Sequence, residues 1–193
     1  EWIGGSGAWN DATNWEPLGV PSVSDVIIFN GISATISHVP DAVIKGIAII
    51  NSDIILNGAN GDARMLTIGS PQADTALLVD AGAALTIGTN LNITLAPDAN
   101  ALIGGRLIVS ANSKYFTESG VTTRTIVKGT LTSNSGTIIS QPSMLEFTNG
   151  SVYEHAGDKG MIPAATWHTS STCLVKGIVT AAPGGLQQRF GNY

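Results

Sequence analysis

The three histidines, His38, His155 and His168, are the side chains best suited to proton transfer or metal binding. None of them stands at a metal-binding spacing from another His or Cys. His155 and His168 fall on segments that a repeating fold would stack, and Glu154 and Asp158 are close in sequence. This group is therefore a candidate for acid–base catalysis or metal binding. The alternative is that His155 belongs to a cover over the C-terminal end of the fold.

The acidic residues suit turns better than catalysis, since nearly all stand beside Gly, Ala, Pro or Asn. A glycosidase would require paired carboxylates on one face. A calcium ion is conceivable at residues 57–62, NGANGD, but this stretch is poor in acids and lacks the nonapeptide calcium pattern. We therefore assign no catalytic residue, no metal ligand and no cofactor, with structural calcium as the exception to test. The scattered acids are Asp41, Asp53, Asp62, Asp74, Asp80 and Asp98.

Aromatic side chains are the best candidates for ligand binding, because an exposed ring can stack on the apolar face of a sugar. Threonine and asparagine at outward strand positions, such as Thr67, Thr86, Asn92 and Thr94, would add hydroxyls and amides. The alternative is that the aromatic residues close the ends of the fold. The ligand-binding candidates are Trp9, Trp15, Tyr115, Tyr153, His155 and Trp167.

Composition excludes several classes of function. Only 12% of the 193 residues are charged, the net charge is -5, and Lys and Arg form no cluster, so a nucleic-acid partner is not expected. No apolar run reaches the roughly 20 residues of a membrane span. The single cysteine, Cys173, cannot form an internal disulfide and is interpreted as a small core residue.

A repeat indicates the elements that position these residues. The tetrapeptide LTIG occurs at Leu66–Gly69 and again at Leu85–Gly88, and short apolar-x-apolar segments recur along most of the chain. A period of about 20 residues is typical of a solenoid. If the two copies occupy equivalent strands, Leu66 lies beneath Leu85 and Ile68 beneath Ile87.

These patterns predict an all-β fold, a single-stranded parallel β-helix forming a right-handed solenoid of seven or eight short coils. An antiparallel β-sandwich is the main alternative, but hairpin dipeptides between the strands are scarce. Residues 1–25 form an N-terminal tryptophan-rich cap, 26–150 the coils, and 151–193 the last coil with a C-terminal cover. A few residues of the polar stretch Ser110–Arg124 are expected to loop out of the coil, and this insertion is a second candidate site.

Both ends of the chain resemble large secreted or cell-surface bacterial proteins of the Bacteroidetes type. The N-terminal resemblance rests on the opening EWIGGSGAWNDATNWEP and the DVII that follows, and the C-terminal one on SVYEHAGDKGMIPAATWHTSSTCLVKGI and GLQQRFGNY. The resemblance implies a β-helix region, export by a separate sorting domain, and an N-terminal piece of a longer polypeptide with further domains. It supplies no catalytic residue.

The sequence therefore favours a non-catalytic, secreted or cell-surface module, adhesin-like or glycan-binding, with a polysaccharide as partner. The alternative is a polysaccharide lyase or glycoside hydrolase acting on an acidic polysaccharide, which would need convergent acids and a cation such as Arg106 with Arg124. A third interpretation is ice or mineral binding by a threonine row that begins with Thr67 and Thr86.

Overall fold

Three parallel β-sheets run along the molecule, and the computed structural model describes residues 1–69, 75–117 and 122–192. Sheet 1 contains β2 (Val26–Asn30), β5 (Gly46–Ile50), β8 (Leu77–Val79), β11 (Asn100–Ile103), β14 (Arg124–Val127), β17 (Leu145–Phe147) and β19 (Thr166–Trp167). Sheet 2 contains β1 (Gly7–Ala8), β3 (Ser33–Val39), β6 (Asp53–Gly58), β9 (Ala84–Ile87), β12 (Arg106–Ser110), β15 (Thr130–Asn134), β18 (Val152–Ala156) and β20 (Thr172–Lys176). Sheet 3 contains β4 (Ala42–Ile44), β7 (Arg64–Ile68), β10 (Leu91–Leu95), β13 (Lys114–Thr117) and β16 (Thr137–Ile139).

From β2 to β16 the chain passes from sheet 1 to sheet 2 to sheet 3 in each winding, beginning with β2, β3 and β4, whereas β17 to β20 alternate between sheets 1 and 2. Every ladder between the named strands is parallel, for example β9 with β12 and β14 with β17. The parallel β-solenoid predicted from the sequence is therefore confirmed, and the antiparallel sandwich is excluded. The stack has about six turns, slightly fewer than the predicted seven or eight.

The predicted stacking of the two LTIG copies is wrong. Leu66 lies on sheet 3, paired with Ala42 and Ile93, whereas Leu85 lies on sheet 2, paired with Ile54 and Leu107. The reason is that one winding contains three short strands, and the step from one LTIG copy to the next advances the chain by only two of them. Strands on two different sheets share the LTIG sequence because each needs the same inward-outward alternation.

The core consists of ladders of inward side chains, one from each winding. In sheet 2, successive ladder positions are unequally spaced along the chain, so the coils differ in length while the register of the inward positions is kept. These residues are buried and form the dry interior of the coil. The ladder runs through Ala34, Ile54, Leu85, Leu107, Leu131, Tyr153 and Cys173.

The corners between strands are tight turns that repeat from coil to coil. A backbone N–H donates to the carbonyl three residues earlier at Ala83, Ser151 and Ser171, and each of these small side chains is buried. Corners also use left-handed backbone, as at Asn90 (φ 55°) and Gly82 (φ 83°). Asparagine and glycine tolerate this conformation, which explains their abundance between the strands.

Three tryptophans cover the N-terminal end of the coil, as the sequence predicts. Trp2 and Trp15 are packed edge to face with ring centroids 4.8 Å apart, and Trp9 meets Trp15 at 5.1 Å. All three rings are buried and lie over the first core layer at Phe29. The cap therefore removes the apolar cross-section of the first coil from water.

The C-terminal end is closed by a second aromatic stack. The rings of Phe147 and Trp167 lie parallel with centroids 4.2 Å apart, and Phe190 meets Trp167 edge to face at 4.8 Å. Gln188 fastens the closing segment, accepting hydrogen bonds from the Trp167 indole N–H and the backbone N–H of Ala165, both at 3.0 Å.

Much of the stretch Ser110–Arg124, where a few residues are expected to loop out, belongs to the coil. Residues 114–117 form β13, which pairs with β10 and β16, and Arg124 opens β14. The part of this stretch that remains a candidate loop, 118–121, lies outside the described residues. Within the described ranges, no helix is long and apolar enough to cross a membrane.

Candidate functional site

The aromatic candidates do not present exposed rings. Trp9, Tyr115 and Tyr153 have no exposed surface, Trp15 is 3% exposed, and Trp167 is half-buried in the C-terminal stack. A buried ring cannot stack on a sugar, so the geometry does not support that role for the fully buried residues. Their burial supports the alternative interpretation, in which aromatic side chains fill and close the coil.

Two buried tyrosines hold polar groups inside the column. The Tyr115 hydroxyl lies 2.7 Å from Oγ1 of the buried Thr125, and the Tyr153 hydroxyl lies 3.2 Å from Nδ1 of His155. Burial raises the pKa of both tyrosines, so both remain neutral phenols. These pairs satisfy hydrogen bonds within the core and offer no group to a ligand.

His155 and His168 have separate, local partners. His155 is buried, and its Nε2 lies 2.7 Å from the Lys159 carbonyl oxygen. Because a carbonyl only accepts, Nε2 carries the proton and donates. His168 is exposed and contacts Ser170 at 3.0 Å. Among the described residues, no three His, Cys, Asp or Glu side chains are placed to hold a metal ion.

Cys173 lies in the inner ladder of sheet 2 and is 1% exposed. Burial raises the pKa of its thiol to about 11, which leaves almost no thiolate at neutral pH. The side chain therefore acts as a small core residue, as the sequence indicates.

Two other expected groupings do not form. Arg106 is on sheet 2 and Arg124 is on sheet 1, so stacking does not bring them together. Thr67 lies beside Thr94 on sheet 3, whereas Thr86 lies between Ile55 and Ile108 on sheet 2. The threonine row on which ice or mineral binding depended is therefore not built from these residues.

The outer surface of sheet 2 carries a groove of about 480 Å³ that crosses the strands of the first four windings. In the register of the sheet, Asp53, Ala84 and Arg106 stand side by side on neighbouring strands. The methyl group of Ala84 leaves a gap between the two longer side chains. The groove is lined by Ser6, Ser33, Ala34, Thr35, Asp53, Ile54, Ile55, Ala84, Thr86, Arg106 and Ile108.

Charge in the groove is concentrated on Asp53 and Arg106. Both are exposed and begin their strands, and two strand spacings place their Cα atoms about 9.6 Å apart. Within the described ranges neither side chain has an ion-pair or hydrogen-bond partner. A carboxylate and a guanidinium are thus both free to bind the same ligand, on opposite sides of the gap above Ala84.

Aliphatic side chains and hydroxyls form the groove surface beside these charges. Ile55 and Ile108 alternate with Thr35 and Thr86 along the column next to Asp53 and Arg106. The N-terminal segment closes one end of the groove, where Ser6 Oγ accepts a hydrogen bond from the Thr35 backbone N–H at 2.9 Å. The surface therefore combines apolar patches with hydrogen-bonding groups at a spacing fixed by the sheet.

The sequence interpretation assigns Asp53 to a turn and groups Arg106 with Arg124, so it misses the row Asp53–Ala84–Arg106. The signal that identifies it is positional, because both residues immediately precede an apolar-x-apolar strand, as Ala84 does. Aligning strand starts instead of LTIG motifs places the three residues in one row.

Comparison of the chain with protein-family models, with curated proteins and with solved structures gave no match. The groove hydroxyls, the Asp53 carboxylate and the Arg106 guanidinium can donate and accept hydrogen bonds with a polyhydroxylated ligand, while the isoleucines contact apolar C–H faces.

Proposed function

We propose that this chain is a non-catalytic module that binds a glycan in the groove of sheet 2, as part of a secreted or cell-surface protein. The observation that supports binding is the row Asp53–Ala84–Arg106, with two unpaired charges on either side of a gap. A sugar ring presents hydroxyls at its edge and C–H groups on its faces. The groove offers partners for both, from side chains held on rigid strands.

The rigid presentation of the groove side chains on the strands favours an extended polymer over a small ligand. The groove is open and crosses four strands at about 4.8 Å spacing. A linear chain lying across the strands would contact successive windings in the same way. Nucleic acid fits poorly, because Arg106 is the single cation among the described residues that line the groove, and the chain carries a net charge of -5.

The arrangement of carboxylates argues against a glycoside hydrolase at this surface. Among the described residues, Asp53 is the one carboxylate that lines the groove. Glu154 is on the same sheet, but four strand spacings separate the two, which is at least about 19 Å. Hydrolases place their two carboxyl groups about 5 to 9.5 Å apart. Binding without bond cleavage is therefore the function that we propose.

The location outside the cell is proposed from the resemblance of both ends of the chain to secreted surface proteins. The resemblance to Bacteroidetes-type surface proteins, the adhesin-like role and the further domains of the same polypeptide belong to this proposal. Immunodetection of the full gene product on intact cells tests it, and detection exclusively in the cytoplasm would contradict it.

Binding is tested by screening the protein against a panel of neutral and acidic polysaccharides, followed by titration calorimetry on those that bind. Arg106→Ala and Asp53→Asn should each weaken binding about tenfold or more, because hydrogen bonds to charged groups are worth about 1.5–3 kcal/mol. The matched control is Arg124→Ala, which removes an exposed arginine that also begins a strand but lies on sheet 1.

Equal affinity of wild type and both groove variants would contradict the site assignment. Formation of unsaturated products, detected by their ultraviolet absorbance, would favour a polysaccharide lyase over a binding module. The control variant distinguishes the loss of a groove contact from a general effect of losing positive charge on binding.

A further inference from the structure

Four asparagines in this chain are followed directly by glycine: Asn30, Asn57, Asn60 and Asn149. The Asn–Gly dipeptide favours deamidation, because glycine has no side chain to shield its backbone nitrogen from the asparagine amide. Sequence alone gives the four pairs the same reactivity. Ring closure, however, requires an unrestrained asparagine side chain, a glycine N–H that makes no hydrogen bond, and a backbone that can bend. The structure distinguishes the four pairs on these three requirements.

The pair Asn60–Gly61 meets all three requirements. It lies in the corner between β6 and β7, and both residues are exposed. Within the part of the chain that the structure describes, neither the Asn60 amide nor the Gly61 N–H has a hydrogen-bond partner. Gly61 has φ 105°, and a Cβ placed on it would contact nothing within 4 Å. The side-chain amide and the glycine nitrogen therefore have room to approach each other.

Hydrogen bonds hold the neighbouring pair Asn57–Gly58 in place. Asn57 Oδ1 accepts a hydrogen bond from the Thr89 backbone N–H at 2.9 Å, and the Gly58 N–H donates to the Thr89 carbonyl oxygen at 2.9 Å. Both residues belong to β6, and a Cβ on Gly58 would overlap the Asn90 carbonyl oxygen. This pair cannot bend into a ring without leaving the coil.

The other two pairs are each restrained by a hydrogen bond. Gly31 donates its N–H to the Ile50 carbonyl oxygen at 3.0 Å, which occupies the nitrogen that would attack. Asn149 accepts a hydrogen bond on Oδ1 from the Ser170 hydroxyl, although Gly150 has φ 74° and open space around it. Each of these contacts must break before the ring can close.

We propose that Asn60 is a deamidation site of the folded protein, at which asparagine is converted to isoaspartate and aspartate. The Gly61 backbone nitrogen attacks Cγ of Asn60, and the side-chain nitrogen leaves as ammonia together with the proton of the glycine N–H. Water then adds to one of the two carbonyl groups of the resulting succinimide and opens the ring. This inference does not depend on glycan binding.

The coil next to the site is anchored independently of the corner. The Arg64 backbone N–H donates to the Asn90 carbonyl oxygen at 2.9 Å, and the Met65 backbone N–H donates to the Asp41 carboxylate at 2.7 Å. The extra backbone atom of isoaspartate therefore falls within residues 59–63, outside the ladders. The product carries one additional negative charge at this corner, and the solenoid should keep its fold.

Peptide mapping by mass spectrometry tests the proposal on the folded protein during incubation in mildly alkaline buffer. Deamidation at Asn60 should be at least about tenfold faster than at Asn57, because two hydrogen bonds must break at Asn57. Fragmentation that distinguishes isoaspartate from aspartate should detect both products at Asn60. The same incubation of urea-unfolded protein is the control, since the four Asn–Gly pairs should then react at similar rates.

Ser170→Ala provides a matched test at a second pair. It frees the Asn149 side chain, so deamidation there should become about two- to tenfold faster, while the rate at Asn60 stays the same. Circular dichroism and urea unfolding establish that this variant is folded, and they should show that the protein deamidated at Asn60 is folded as well.

Equal rates at the four pairs in the folded protein would overturn the proposal, as would a slower reaction at Asn60 than at Asn57. Unfolding of the protein before Asn60 reacts would place the reaction in the unfolded chain and would overturn it too. An unchanged rate at Asn149 in Ser170→Ala would contradict the dependence of reactivity on hydrogen bonding.

Discussion

Individual polar side chains in this protein mostly serve the coil. Asp158 is the clearest case, because its carboxylate accepts hydrogen bonds from the Thr180 hydroxyl and from the backbone N–H groups of Val179, Thr180 and Ala181. One carboxylate thereby holds the turn that follows β20 against the previous winding. The hydrogen bonds, that of the Thr180 hydroxyl foremost, lower the pKa of Asp158 well below its usual range.

This lowered pKa predicts a pH dependence of stability. A group whose pKa is depressed by folding stabilises the native state above its unfolded pKa, about 3.9 for Asp, and that contribution is lost as pH falls toward the folded pKa. Asp158→Asn should therefore lower the urea midpoint at pH 7, and its difference from wild type should shrink on acidification below about pH 4. Urea unfolding followed by circular dichroism at several pH values measures this.

Asp62→Asn provides the control, because Asp62 is an exposed turn carboxylate. It should leave the midpoint at pH 7 nearly unchanged. A constant difference between wild type and Asp158→Asn from pH 7 to pH 3 would contradict the role assigned to this carboxylate.

Corners are the elements that decide how the strands stack. Their sequence requirements are local: a residue that tolerates left-handed backbone, and a small buried side chain such as Ala83 where the chain turns inward. Gly82 has φ 83°, and a Cβ placed on it would contact nothing within 4 Å. Substitution there changes backbone energy without causing a clash.

Gly82→Ala is consequently expected to destabilise the protein by about 1 kcal/mol, because alanine is strained at positive φ. Gly5→Ala is the matched control, since a Cβ at Gly5 also meets open space but the backbone is not left-handed. The control should be neutral or slightly stabilising. Equal free energies of unfolding for the two variants, measured in urea, would contradict this account of the corners.

At the scale of the whole molecule, the sequence was sufficient to predict the architecture. Short apolar-x-apolar strands without hairpin dipeptides predict parallel stacking, and clustered tryptophans predict a cap. Both follow from local rules, alternation for the strands and burial of large rings for the end. Neither rule requires knowledge of which strands are neighbours in the stack.

Register and the groove could not be predicted in the same way. Along the inner ladder, the step from Ile54 to Leu85 is about half as long again as the step from Ala34 to Ile54, so no fixed period assigns neighbours. The LTIG motif led to a wrong stacking prediction, because strands on different sheets share the same alternation of inward and outward side chains. If the predicted register is wrong by one strand, Asp53 and Arg106 are assigned to different sides of the molecule, and the site is not recognised.

The groove depends on the stacking register, and disulfide trapping tests that register most directly. In a Cys173→Ser background, Thr86→Cys with Ile108→Cys should oxidise readily, because these residues are paired on adjacent strands within disulfide reach. Thr67→Cys with Thr86→Cys should stay reduced, since they lie on different sheets. Rapid cross-linking of the second pair, with none in the first, would contradict the register and the groove that depends on it.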